Sequence, residues 1–446
     1  MADRPQTPLQ NQRKPYLYCN YDFVKVWVGH TISNFGSGIT GIALPLTAVL
    51  VLSATPTQMG ILSALSGVSV LVFGLLAGVW VDRLRRRPIL ITADLGRALL
   101  LGSLPLAALL GILHLAQVYI VAALAGILTV FFNVADEAFL PSLIPPDQLV
   151  EANSKLGMSD SLAEISGPAL AGSLVQLLGA PVAILFDALS FLLSALGFAL
   201  VCTPEPRPLP AEQPQSAWRE SIEGLRIIRD SPLLRALTIG AAIFNFFGNF
   251  IGTLYVLYIV REVHASPLII GLLVATGGVS AFVGTLIARK VIQRIGPGRA
   301  IGGMLFLYGL TGVLIPLAHD PLGLAVALLF TSQLIGDASV AIYFIAEVSL
   351  RQAIIPNAFL GRVNASIQFV AQGVGPIAAL LAGILGTLIG LRLTILIGVL
   401  GVIFAGVWLL ISPVRKVRSL VIDPLSLQGH SESVILSAAK DLRFKE

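Results

Sequence analysis

Charged residues are scarce in this sequence, and the few present fall where they could hold helices together or carry a proton. Gly78 to Pro88 reads GVWVDRLRRRP and joins two long apolar runs. Four arginines and an aspartate in six positions cannot lie in hydrocarbon, so they mark a tight turn at a membrane surface. Asp94 and Arg97 follow one helical turn apart and share a face. Asp136 and Glu137 stand one turn from the same end of the next apolar run. Such a cluster at helix ends fits a structural charge network better than a substrate site. Glu164 is different: it falls roughly 18 Å along its run, near the middle of a bilayer. Asp337 comes at a similar depth, and Asp187 is less central. A carboxylate is hardest to ionise there, which suits Glu164 and Asp337 to bind and release a proton. The alternative is a carboxyl hydrogen-bonded to neighbouring helices, with Asp160 sharing Glu164's face one turn nearer the end.

The elements that must position these groups are membrane helices. The 446 residues are 56% hydrophobic and only 12% charged, a balance that excludes an ordinary soluble domain. Runs long enough to cross roughly 30 Å of hydrocarbon number twelve: 25–52, 57–81, 88–113, 117–140, 152–178, 181–202, 234–260, 267–288, 300–318, 322–348, 362–388 and 392–412. The first and fifth are interrupted by polar groups, His30 and Asn34 in one, Asp160 and Glu164 in the other. Lysine and arginine crowd one set of loops, and only Arg261 and Arg392 fall on the opposite side. By the positive-inside rule both termini are expected in the cytoplasm of a cell membrane crossed many times. The net charge of +5 follows from that asymmetry and needs no nucleic-acid partner. No cleavable signal peptide is expected, since the first run is too long for one. Cys19 and Cys202 both fall on the cytoplasmic side, so no disulfide is expected. The five histidines lack ligand spacing, so neither a metal nor a cofactor is expected.

A proline-rich stretch opens the longest polar interval, and WRESIEGLRIIRD within it reads as an amphipathic helix on the membrane surface. The expected organisation is a cytoplasmic segment (1–24), six helices (25–202), a linker (203–233), six more helices (234–412) and a disordered tail (413–446). The halves repeat in sequence. At one constant offset, Ala135, Asp136, Ile144, Pro145, Leu149 and Asn153 meet Ala346, Glu347, Ile355, Pro356, Leu360 and Asn364. Glu347 thereby joins the candidate charge network. Gly167-Pro168 meets Gly375-Pro376 after a short shift. A parallel six-helix repeat places the halves about an axis along the membrane normal.

The spacing G-x-x-x-D-R-x-x-R-R, carried by Gly78, Asp82, Arg83, Arg86 and Arg87, closely resembles the signature loop of the major facilitator superfamily. SNFGSGITGIALPL, ADLGRALLL and LPSLIPPDQLVEANS resemble its enterobactin-exporter and macrolide-efflux branch. GPALAG, with Gly167, Pro168 and Gly172, resembles the antiporter signature in which small residues and a proline bend the fifth helix. Ala163 and Ala171 stand where glycine is commoner. The resemblance covers about Asp22 to Pro413. It implies an all-α integral membrane fold of two pseudo-symmetric six-helix bundles, alternating access and proton-coupled export. It also implies that Asp82 and the loop arginines hold inner helix ends together in the outward-open state. Topology alone accounts for the arginines but not for Asp82.

Asn34, Asn245, Asn249, Gln368 and Gln372 are neutral polar groups on helices that line the central cavity in this fold. FNFFGNF with Tyr255 and Tyr258 adds aromatic surface, although such phenylalanines also face lipid and asparagines also join helices. No basic residue falls in the middle of a span, which argues against a polyanionic substrate. The resulting expectation is proton-coupled efflux of amphipathic small organic molecules, such as drugs, macrolides or siderophores, by a chain that acts as a monomer in contact with lipid. A lipid or lysolipid translocator and a non-transporting sensor or scaffold are the alternatives. No nucleophile, P-loop or triad supports an enzyme.

Overall fold

The computed structural model describes residues 20–81, 83–205 and 217–418. Asp82, the first part of the linker, most of the amino-terminal segment with Cys19, and the tail from residue 419 lie outside the described residues. Cys202 is a free thiol.

In lipid every backbone N–H and C=O needs an internal partner, so long apolar runs become helices. The first half comprises α1 (Tyr21–Leu46), α2 (Pro56–Val81), α3 (Arg86–Leu109), α4 (Leu115–Leu143), α5 (Leu149–Leu178) and α6 (Ala180–Ala199). Then come the linker helix α7 (Ala217–Asp230), α8 (Pro232–Tyr258), α9 (Pro267–Ile295), α10 (Pro297–Gly312), the short α11 (Leu314–Leu317) and α12 (Leu322–Ile354). The chain continues with α13 (Asn357–Gly373), α14 (Gly375–Leu388) and α15 (Leu391–Ile411). Helix α1 starts four residues earlier than expected because the Asn20 side chain accepts the Phe23 N–H at 3.1 Å and caps it. The eleventh run is split at Val374, just before Gly375-Pro376, where proline supplies no N–H to continue the ladder.

Among the described residues, eleven helices are long and apolar enough to cross a membrane. The expected fifth span is α5, thirty residues long, or about 45 Å. Glu151, Lys155, Asp160 and Glu164 keep it from matching the others in apolarity.

Packing repeats between the halves. In the first, α1 contacts α5 and α6, α3 contacts α4 and α6, and α2 contacts α4. The second half makes the equivalent pairs: α8 with α14 and α15, α10 with α12 and α15, and α9 with α12. Two seams join the halves, α2 with α14 and α5 with α9. Both are glycine contacts at the side away from the termini. A Cβ on Gly60 would lie 2.9 Å from the Gly383 Cα, and one on Gly172 would lie 2.9 Å from the Gly271 Cα. Only hydrogen side chains let the backbones meet so closely. Toward the termini the seams part. Gly67 still meets Pro376, but Cβ atoms on Gly74, Gly78, Gly157 and Gly361 would meet nothing within 4 Å.

The buried clusters agree. One runs across both halves and includes Leu46, Met59, Val175, Leu254, Ile270 and Ala382. On the terminal side Phe23, Leu90, Phe132 and Phe198 belong to a cluster confined to the first half. Ile228, Leu234, Val363 and Ile367 belong to one confined to the second. The two bundles therefore form a V, closed on the far side and open on the terminal side.

The linker is held at both ends. Glu205 accepts hydrogen bonds from the Arg86 and Arg87 N–H groups at 2.6 and 3.2 Å. Helix α7 packs on α13 and α8. Arg362 donates to Glu223 at 2.8 Å, and Ile228 buries its side chain beside Val363 and Ile367. Its amphipathic pattern thus serves a protein surface. The tail's first residues also belong to the fold, since Val414 and Val417 are buried.

Candidate functional site

The groups singled out in the sequence separate into four places. In the signature loop, Arg83 is exposed and Gly78 faces open space. Arg87 turns back into its own half, where its guanidinium donates to the Phe198 and Ala199 carbonyls at 2.9 and 2.6 Å. These are last-turn carbonyls of α6, at the negative end of the helix dipole, where a cation is attracted. Lys25 adds a bond to the Leu200 carbonyl at 2.7 Å. Asp22 accepts from the Cys202 and Thr203 N–H groups at 3.0 and 2.8 Å. In this open state the basic loop therefore anchors α6 within the first bundle. Asp22 and Glu205 complete that anchor, and no sequence signal beyond their acidity marks them.

Inside the first half, Arg97 donates to Asp94, and both side chains are buried. The guanidinium lies between two rings, 4.2 Å from the Phe132 centroid and 4.1 Å from that of Phe191. Asp187 on α6 is within electrostatic reach of the same cation and accepts from Ser190 at 3.1 Å. Asp136 turns toward α1, where His30 Nδ1 lies 3.3 Å from its carboxylate. On its other edge His30 Nε2 lies 3.0 Å from Asp160 of α5. Asn34 reaches both His30 and Asp160. One imidazole thus links α1, α4 and α5 at the open end of the V. In the sequence His30 reads as an interruption of an apolar run and Asp160 as a neighbour on Glu164's face, with nothing to pair the two.

Two members of the expected network lie elsewhere. Glu137 is exposed on α4. Glu347 is buried in the second half and paired with Arg351 at 2.9 Å. The repeat relating Glu347 to Asp136 also carries it to the opposite bundle, so it cannot join Asp94 and Arg97.

Glu164 is exposed one turn beyond Asp160 on α5, and the two share a face. It stands where α5 begins to close on α9: its carbonyl oxygen would lie 3.4 Å from a Cβ on Gly278. Helix α5 is one continuous helix through Pro168. The small residues of its signature string serve close approach, Gly167 to Gly38 of α1 and Gly172 to Gly271 of α9.

Of the expected cavity residues, Asn34 is engaged by His30 and Asp160. Asn245 and Asn249 donate to carbonyls one turn back, at 2.9 and 2.7 Å. Gln368 and Gln372 are exposed on α13. A cavity of about 350 Å³ lies instead within the second half and reaches α1 at Gly41 and Pro45. Tyr255, Tyr308, Ser332 and Gln333 supply its polar side chains. Asp337, one turn beyond Gln333, is half-buried and within electrostatic reach of both tyrosines. Tyr258 is structural: it is fully buried and donates to the Ala318 carbonyl at 2.6 Å. Gln333 had a legible signal, an amide four residues from an aspartate within an apolar run.

On the far side Arg261 of the second half donates to the Ser53 and Ala54 carbonyls of the first, at 3.1 and 2.8 Å. The Thr57 and Thr387 hydroxyls meet at 2.8 Å. These bonds lock the closed end.

Known proteins are similar to this chain in sequence and in fold. The transmembrane secretion effector family matches residues 18–438. Macrolide efflux protein A of Streptococcus pyogenes is 25% identical over 399 residues, covering 88% of this chain and 96% of that protein. The enterobactin exporter of Citrobacter koseri is 26% identical over 416 residues, covering 89% and 93%. In three dimensions the chain is similar to a bacterial homologue of the iron transporter ferroportin, crystallised in the inward-facing state. That likeness has a TM-score of 0.68 at 18% identity and covers 87% of this chain and 98% of that one. The chain belongs to the transmembrane secretion effector family of major facilitator transporters, membrane proteins that move small molecules and are not enzymes.

Proposed function

We propose that this transporter exports amphipathic small organic molecules from the cytoplasm in exchange for protons, by rocking its two halves about the central cleft. The observation that carries the reading is the V, sealed by glycine seams on one side and open on the other. The positive-inside rule favours the cytoplasm for the arginine-rich open side, which supports entry of substrate from within the cell. The efflux roles of the macrolide and enterobactin relatives support the outward direction, and α5 counts as the twelfth span. Glu164 is the favoured proton carrier, because it is exposed on α5 where that helix closes on α9 and shares a face with Asp160. Asp337 is the second candidate. Asp94, Arg97, Asp136 and His30 hold the terminal ends of the first bundle. Asp82 and its neighbouring arginines engage the second bundle when that side closes.

The test is dissipation of an inward-acid pH gradient in inverted vesicles holding the protein, followed with a pH-sensitive dye across a panel of amphipathic compounds. Substrate-dependent proton release that disappears in Glu164→Gln is expected. Transport that proceeds undiminished in Glu164→Gln and Asp337→Asn together would overturn the proton-coupled reading.

A further inference from the structure

The membrane-embedded acids of this protein are not equivalent in what they face. Asp94 holds Arg97, Asp187 lies within reach of the same guanidinium, and Glu347 holds Arg351. Each buried carboxylate has a cation supplied by the protein, as a low-dielectric site requires. Asp337 has none: among the described residues it makes no hydrogen bond and no ion pair. It does not itself line the 350 Å³ cavity: its carboxylate lies against Gly277 of α9, next to the Gln333 amide that does line it, and it is within electrostatic reach of Tyr255 and Tyr308. The Tyr255 hydroxyl is buried and lacks a hydrogen-bond partner among the described residues.

The cavity is kept open by the sequence. Gly41, Gly248 and Gly252 line it, and a Cβ on any of them would meet nothing within 4 Å. At the seams glycines let helices touch; these three leave room in the cavity wall. The volume falls in the roughly 300–1,000 Å³ range of small-molecule sites. Val274, Val399 and Val402 make much of the remaining wall apolar.

We propose that this cavity binds an organic cation, with an apolar body among the valines and glycines and a cationic head between Asp337 and the rings of Tyr255 and Tyr308. Asp337 supplies the counter-charge and the two rings supply cation–π attraction, which strengthens when the cation is stripped of water. Glu164, exposed on α5, is left to carry the proton. The inference rests on the export reading only for what happens after binding.

The probe is benzyltrimethylammonium, whose quaternary nitrogen carries no proton, with its uncharged isostere neopentylbenzene as competitor. Radiolabelled benzyltrimethylammonium is titrated onto the full chain in lipid nanodiscs. Saturable binding is expected, with the isostere competing at least about tenfold more weakly. Asp337→Asn and Gly252→Val should each weaken binding by about tenfold or more, the second by filling open space while its thermal unfolding midpoint stays near that of the parent. Should Asp337→Asn fail to fold, Gly252→Val and Tyr308→Leu decide the matter.

Binding unchanged in the folded variants, or no saturable binding at all, overturns the proposal. Cation binding without coupled proton movement sinks the export reading and leaves the site standing. Coupled transport of uncharged compounds by a protein that binds no cation does the reverse.

Discussion

Arg97 shows how far a single side chain reaches in this fold. It neutralises Asp94, attracts Asp187 and is held between Phe132 and Phe191. Removing one member of a buried ion pair leaves an uncompensated charge, which costs about 3–5 kcal/mol, whereas replacing both with apolar groups is far milder. Asp94→Asn is therefore expected to lower the thermal unfolding midpoint in detergent clearly. The double replacement Asp94→Leu with Arg97→Met should recover most of that loss. A double variant less stable than Asp94→Asn would mean the pair does more than cancel charge. Part of this site was legible in the sequence: the spacing of Asp94 and Arg97 put them on one face, and they do pair. His30 between Asp136 and Asp160 was not legible, because three helices distant in sequence supply it and none of the three carries a spacing signal.

At the scale of helices, α2 carries the conformational information. Gly60 and Gly67 lie against α14, while Gly74 and Gly78 face open space. A larger residue at Gly78 has nothing to strike in the open state but would strike α13 once the terminal side closes. Gly78→Leu should leave the unfolding midpoint unchanged or slightly raised, since leucine is the better helix former by up to about 1 kcal/mol. Vesicle transport should nonetheless fall at least about tenfold, as a loss of roughly 1.4 kcal/mol or more in reaching the closed state implies. Transport near the parent rate would show that α13 does not close on α2 at Gly78 during the cycle. The helices themselves were readable from apolar length. Less so was α5, whose four charged residues sit on a helix that packs against both α1 and α9. The linker helix was read from its amphipathic pattern, but its packing on α13 and α8 was not legible, because periodicity reveals an apolar face without revealing its occupant. The loop arginines were read from their density, yet Arg87's bonds to α6 depend on where α6 ends in space.

For the molecule as a whole, export requires the far-side seal to break. Thr57 and Thr387 touch across it through their hydroxyls, so cysteines there should come within disulfide reach. Thr57→Cys with Thr387→Cys is expected to lose transport under oxidation and regain it with reductant, followed by the same vesicle assay. Undiminished transport by the cross-linked protein would rule out opening at that seam. The anchoring of the linker has a consequence for how the chain can be made. Glu205 is tied to the first bundle and α7 to the second, so each bundle keeps its own end of the connection if the peptide is cut between Glu205 and Ala217. Two separately translated polypeptides, ending and beginning there, should find each other through the glycine seams and co-purify as a working pair. The covalent link would then be a means of delivering equal numbers of the two bundles, and the protein could be built from two genes as readily as from one.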